Sequence, residues 1–308
     1  MDPGFHAVRP GAVRPRGCPP PGTPARSPPA PAPQGRDRPT VLANHSLGAK
    51  QVSRNSLCRC AGASQTLSVE PVRSYVICCV QRTGSWLLAH TLADTGYAGR
   101  PSDYFDEAER KDHTREWGLP TDALTPYVLA MRDKATTPNG VLGSKMMWND
   151  FDWLRSSFQP PAGTDAGLEF MRTTFPNAQF VWLRRADKVR QGISWWRAAV
   201  TNQWGLRPDQ EPEQPAPDVE HITQLVRFAE RCEDGWRQWF TSTGIRPCEV
   251  VYEELSRDRL AVANSVLEFL RLPQLDAGDL PPVRYRKQAD SLTERYVHLI
   301  RSVMSSAG

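Results

Sequence analysis

Apolar residues along this chain follow two spacings. Tyr75–Val80 (YVICCV) is an unbroken apolar run. It is too short for a helix and is closely flanked by turn residues, so it predicts a buried strand. Beyond it Trp86, Leu87, Leu88 and Leu92 return at helical spacing until Gly96, which reads as a helix stop. The alternation then repeats. Gly140–Trp148 (GVLGSKMMW) predicts a second strand with a polar end, Ala178–Lys188 a third that runs into a charged turn, and Pro247–Leu255 (PCEVVYEEL) a fourth. Asp187 stands at the start of a helix that runs towards Trp204. His221–Thr243 sets Leu225, Phe228, Cys232, Trp236 and Trp239 at steps of three and four, another helix. Ser256–Arg271 opens on a serine and carries Leu260, Val266, Leu267 and Leu270, and Asp290–Met304 predicts a last helix. Strands alternating with helices predict an α/β fold, a mainly parallel central sheet flanked by helices. Gln210–Asp218 (QEPEQPAPD) reads as a proline-rich surface excursion.

Composition changes this picture at one end. Residues 1–40 hold 12 of the 28 prolines, a density that neither builds a core nor sustains a helix. Residues 41–70 are polar and aperiodic. The expectation is a disordered Pro/Arg-rich extension and linker over 1–70, of no evident function, and one folded domain over 71–308. The extension lacks the apolar stretch of a secretory signal, and its prolines oppose an amphipathic transit peptide. Six arginines against two aspartates in residues 1–40 account for the whole net charge of +4, so residues 41–308 balance. No nucleic-acid face is expected on the folded part, although a local basic pocket is compatible with neutrality. No apolar run approaches the ~20 residues of a membrane span. The seven cysteines include no paired CxxC, which argues against a zinc site or a disulfide framework and for a reducing cytoplasm.

The chemistry is concentrated in Gln81–Ser85 (QRTGS), between the first strand and its helix. The first amides of a helix lack intrahelical acceptors, and the helix dipole favours negative charge there. Gly84 lets the backbone approach a ligand, Arg82 offers a cationic fork suited to phosphate or sulfate, and Thr83 and Ser85 add hydroxyls. The loop is not GxxxxGK[ST], which disfavours an ordinary P-loop nucleotidase. A connector with one glycine would read the same way. A second feature adds weight. Arg185 stands at the end of the third strand, and Ser194 lies about two turns along the next helix, near the face that the helix start presents. In open α/β sheets ligands gather beyond the carboxyl ends of the strands. Two anion grips at two strand ends suggest a ligand with two separated anionic groups. Taken singly, Arg185 is equally a solvated charge and Ser194 a tolerated helix residue.

With these residues the chain resembles the bacterial trehalose 2-sulfotransferase family, within the sulfotransferases that use 3′-phosphoadenosine-5′-phosphosulfate (PAPS). The resemblance spans roughly Ser74 to the C-terminus. It rests on QRTGSWLL (Gln81–Leu88), TGYAGRPSDYF (Thr95–Phe105), NGVLGSKMMWN (Asn139–Asn149), RRADKVRQGISWWRAAVTNQW (Arg184–Trp204), EDGWRQWF (Glu233–Phe240) and RKQADSLTERY (Arg286–Tyr296). It implies the P-loop-like nucleotide fold of sulfotransferases, PAPS as donor, no metal, a carbohydrate acceptor and a homodimer. It implies that Arg82, Thr83, Gly84, Ser85 and Trp86 form the 5′-phosphosulfate loop, with Arg82 neutralising charge on the bridging oxygen. Arg185 and Ser194 match the pair that holds the 3′-phosphate, and Lys287 and Gln288 fall where the family closes over the nucleotide.

Transfer to an alcohol also needs a base, and the family's proposed base is an acidic residue after the first helix. GRPSDYF offers Asp103; if the position falls on Arg100 instead, then Asp103, Asp106 or Glu107 must substitute, because arginine stays protonated. Asp103 is also readable as a loop carboxylate or helix cap, and His90 reads more simply as an ordinary partly buried histidine. Lys145, at the polar end of the second strand, is a candidate for contact with substrate or sulfate. Trp148, Trp195, Trp196 and Trp204 are candidates for an acceptor platform, with core packing the plainer account of each. The acceptor implied is trehalose; a sugar on a glycolipid or a specialised metabolite is the alternative. Two readings from other classes are a kinase or variant P-loop nucleotide-binding protein, opposed by the missing Lys-Ser/Thr and the lack of a magnesium carboxylate beside the loop, and a non-catalytic nucleotide or sugar binder.

Overall fold

The computed structural model describes residues 71–120, 123–157, 160, 162–206, 209–285 and 291–306. The elements, in chain order, are β1 (Arg73–Cys79), α1 (Ser85–Ala93), α2 (Glu107–Glu116), α3 (Leu124–Ala135), β2 (Val141–Met147), α4 (Trp148–Ser157), α5 (Ala166–Thr174), β3 (Ala178–Arg184), α6 (Lys188–Thr201), α7 (Val219–Thr243), β4 (Cys248–Val251), α8 (Tyr252–Arg257), α9 (Arg259–Phe269) and α10 (Ser291–Ser306). The four strands form one parallel sheet in the order β2-β1-β3-β4.

The unbroken apolar run of β1 follows from its central place, because a parallel strand covered on both faces needs apolar side chains in both directions. Val76, Cys78 and Val80 point to one face, where Leu142, Met146, Phe180 and Trp182 pack with side chains of α3, α4, α5 and α7. Tyr75, Ile77 and Cys79 point to the other, against Val181, Leu183 and Val250 and the buried faces of α1 and α9. A third cluster ties α6, α7 and α10 together through Ile193, Trp196, Val226 and Val297. Among the described residues no helix is long and apolar enough to cross a membrane.

The predicted strands and the long helices are present, with four differences of detail. The fourth strand ends at Val251, and Tyr252–Arg257 turns into α8 rather than extending the strand to Leu255. The helix expected to open at Ser256 opens after Asp258, whose carboxylate accepts from Ala261 N at 3.0 Å and so supplies the cap. Trp148, expected at the end of a strand, begins α4 instead. The helices α2 to α5 lie in segments where apolar spacing gave no clear reading. The helix α2 buries no residue, and its start is fixed by Asp106, which accepts from Ala108 N and Glu109 N at 2.9 and 3.1 Å. Lys287 and Gln288, and the whole of residues 1–70, lie outside the described residues.

Candidate functional site

The strand order fixes where a ligand can sit. The chain leaves β1 to build β2 on one side and β3 on the other, so the β1/β3 boundary is the switch point of the sheet. The connections that follow these two neighbouring strands leave the sheet side by side. They are the two segments whose chemistry the sequence singles out, Gln81–Gly84 and Arg185–Asp187. The end of β1 is held by Trp236 of α7, whose indole N–H donates to Cys79 O at 2.9 Å.

The first loop turns through two left-handed residues, Arg82 at φ 64° and Gly84 at φ 81°. Gly84 is required for a second reason. A Cβ there would lie 2.4 Å from Cδ2 of Tyr252, so no side chain fits between the loop and α8. The Thr83 hydroxyl is turned inward, donating to Val80 O at 2.8 Å, which leaves Thr83 its backbone amide to offer a ligand. Buried Ser85 begins α1, and its amide and that of Trp86 are among those a helix leaves without intrahelical acceptors. Two glutamines brace the loop: Gln191 donates to Gln81 O at 2.7 Å, and Gln81 donates to Asn149 Oδ1 at 2.7 Å.

Arg82, Arg185 and Ser194 come together at this turn. Arg82 Nε donates to Ser194 Oγ at 3.0 Å, and its Nη1 donates to Trp204 O at 2.6 Å. Arg185 Nη1 donates to Arg82 O at 3.1 Å, and its guanidinium lies 4.5 Å from the centroid of the Tyr252 ring. Burial, and then the neighbouring Arg185, push the Arg82 guanidinium down to about 10. Burial also lowers Arg185, opposed by Tyr252 and Glu253. Arg185 Nε is buried and, among the described residues, makes no hydrogen bond; Glu253 Oε1 stands 4.0 Å away. Both carboxylate oxygens of Glu253 are engaged by the amides of Ala186 and Asp187, at 3.0 and 3.2 Å. Two like charges held together, Arg82 part-buried and Arg185 buried with an unused donor, make a site that favours an anion.

A carboxylate lies near Trp86 of the first turn of α1, joined to it through Lys145. Ser102 O accepts from the Lys145 amide at 2.9 Å, which pins the Pro101–Phe105 segment to β2. Asp103 is thereby brought to the Lys145 ammonium, which donates to its Oδ2. The Lys145 side chain is 0% exposed and that of Asp103 15%. Asp103 Oδ1 is buried and has no hydrogen-bond partner among the described residues. Burial raises the Asp103 carboxyl, and Lys145 opposes that rise. The other acids of the segment are engaged elsewhere. Asp106 caps α2, and Glu107 is exposed and pairs with Lys111 at 2.7 Å. Arg100 donates to Lys134 O and Thr136 O at 3.0 and 3.1 Å, away from this carboxylate.

The tryptophans divide. Trp148 packs on Trp236 and Phe151, pressed so closely on Gly235 that a Cβ there would sit 2.2 Å from its Cε2, so its place in the core accounts for it. Trp196 is buried, and Trp195 packs edge-on to Phe228. Trp86 and Trp204 are 37% and 41% exposed, and Tyr285 is 40% exposed. His90 bridges Trp86 and Tyr285, with ring centroids 4.8 and 5.7 Å away. Sequence reasoning passed over Tyr252, Glu253, Gln81, Gln191 and Tyr285 as site residues. Tyr252 and Glu253 were assigned to a strand, and nothing in the local sequence says that α8 packs on the glycine turn.

A family model described as Stf0 sulphotransferase matches residues 74–302. A trehalose 2-sulfotransferase of Mycobacterium tuberculosis is 32% identical over 255 residues, covering 73% of this chain and 94% of that protein. One from Mycolicibacterium smegmatis is 30% identical over 253 residues, covering 72% and 94%. A solved sulfotransferase domain from the curacin biosynthetic pathway superposes with a TM-score of 0.41 at 13% identity, over 76% of this chain and 98% of that one, a likeness too loose to carry the argument further.

Proposed function

The chain belongs to the Stf0 sulphotransferase family, and from that premise we propose that residues 71–308 form a domain that moves a sulfuryl group from PAPS to a carbohydrate hydroxyl, with trehalose as acceptor. The observation that carries this reading is the convergence of Arg82 and Arg185 on one glycine turn at the switch point of the sheet. Arg82 and the backbone of Thr83–Trp86 would hold the 5′-phosphosulfate, and Arg185 and Ser194 the 3′-phosphate. The present hydrogen bond from Arg82 to Ser194 links the two grips. When bound, the donor supplies the sulfuryl group and leaves as 3′,5′-ADP.

The chain's own contribution is position and charge. Arg82 faces the negative charge that develops on the bridging oxygen as its bond to sulfur breaks. Asp103 takes the acceptor's proton on Oδ1 as the new sulfur–oxygen bond forms. A carboxylate with one oxygen tied to Lys145 and the other unpartnered suits that role, since an unsatisfied buried acceptor is costly and is tolerated chiefly where it serves a function. The exposed rings of Trp86, Trp204 and Tyr285 suit the apolar C–H faces of a sugar. A cytoplasmic setting accords with the free thiols of Cys78, Cys79, Cys232 and Cys248.

The test is mass spectrometry of purified protein with PAPS and trehalose, without added metal. A disaccharide carrying one sulfate is the expected product. Unmodified trehalose together with binding of 3′,5′-ADP would move the acceptor to another hydroxyl compound, and no binding of 3′,5′-ADP would overturn the reading.

A further inference from the structure

Lys145 is the largest charged side chain that the described fold buries completely. It lies on β2 between Gly143 and Met147, on the face of the sheet that α1 covers. Its ammonium meets two groups there: the Asp103 carboxylate, and the ring of Trp86, whose centroid is 4.1 Å from Nζ. A cation roofed by an indole and closed off from water is poorly placed to touch a diffusing substrate. It is well placed to act on a carboxylate, because attraction between charges strengthens as water is excluded.

We propose that Lys145 is the positioning residue for Asp103: from beneath Trp86 it keeps the carboxylate charged and fixes its Oδ2, so that Oδ1 is the oxygen left to receive a proton. This rests on the reading of Asp103 as the base. Other groups facing the pair do not take over the task. Asp106, before α2, is an acid that opposes ionisation of Asp103, and Glu109, on α2, is an acid itself raised by burial first and then by its acidic neighbours, Asp103 among them. The Cys79 thiol on β1 is pushed up by burial to about 12 and stays neutral. His90 on α1 is lowered, by burial first and then by Arg284, and so adds little positive charge. Lys145 is the neighbour that holds Asp103 down against burial. The sign follows: a base works in its ionised form, so loss of Lys145 moves the ascending limb of the pH–rate profile to higher pH.

The experiment compares wild type, K145M and K145R. In K145M the ascending limb of kcat should move up by roughly 1–3 pH units, with acceptor KM little changed, and K145R should bring it back towards wild type. An unmoved limb with a raised KM would make Lys145 a substrate contact and overturn the proposal. Should K145M not fold, wild-type protein labelled with 15N-lysine and 13C-aspartate suffices. The Lys145 side-chain nitrogen signal should shift at the midpoint of the Asp103 carboxyl, assigned by its loss in D103N, and a Lys145 signal indifferent to that midpoint overturns the coupling. A coupled titration with no matching limb in kcat would instead remove Asp103 as the base and leave the charge pairing intact.

Discussion

At the loop before α1, Arg82 and Arg185 hold two like charges together; beneath Trp86 in its first turn, Lys145 and Asp103 hold two opposite ones. Both arrangements are built at the same edge of the sheet, and both pay for desolvation. They differ in what completes them. The cationic pocket is electrostatically incomplete, since Arg185 makes the Arg82 guanidinium harder to keep charged. The carboxylate pocket is neutral as it stands, and only one oxygen remains without a partner. On the reading proposed above, the first binds and lets go, and the second stays shut and tunes a single group.

The sharpest way to break the comparison is to remove a cation from the incomplete pocket. Arg82→Ala should abolish transfer, a loss of more than about a thousandfold in kcat, and weaken 3′,5′-ADP binding in calorimetry. Residual turnover near wild type would show that the pocket does not meet the developing charge. Asp103→Asn tests the other pocket. It should lower kcat by about a hundredfold to ten-thousandfold and leave the 3′,5′-ADP dissociation constant unchanged; a weaker dissociation constant would mean that the two pockets are not separable. Gly84→Ala presses on the seam between loop and α8. With φ at 81° and Tyr252 in the way, it should destabilise the fold by about 1–3 kcal/mol, read as a lower Tm and a raised Kd for 3′,5′-ADP. The smallest effect belongs to Thr83→Val. Loss of the hydrogen bond to Val80 O should cost about 0.5–1.5 kcal/mol with kcat nearly unchanged, and a large fall in kcat would mean that the hydroxyl serves the ligand after all.

Legibility in the sequence followed physical range. The unbroken run of β1 and the three-and-four spacing of α7 are local consequences of burial, and both stood where the pattern put them. So did the helix opened by Asp187, whose carboxylate accepts from Arg190 N at 2.9 Å. The helix α2 was invisible to hydrophobic spacing because it buries nothing, although Asp106 followed by Glu109 was its capping signal. At the candidate site, Arg82, Gly84 and Arg185 drew notice because each stands at a strand end or helix start whose chemistry is local, and Ser194 because it lies about two turns along the helix that follows. Tyr252 and Glu253 were not, because Tyr252 packs on a glycine turn some 170 residues earlier and Glu253 accepts from the amides of Ala186 and Asp187, 67 and 66 residues earlier. The pairing of Lys145 with Asp103 was beyond reach for the same reason. The two residues were singled out separately, and long-range contacts such as the bond between Ser102 O and the Lys145 amide bring them together.

The adjacency of β1 and β3 has a metric consequence. Paired strands stand about 4.8 Å apart, and the segments that present Arg82 and Arg185 leave from two such strands. On the reading proposed above, the separation between the two grips is tied to a length set by backbone hydrogen bonding, a gauge whose jaws are strand ends. Exchanging side chains in either jaw changes its reach and leaves the strand spacing the same. A donor with a very different spacing between its anionic groups would then call for a different order of strands.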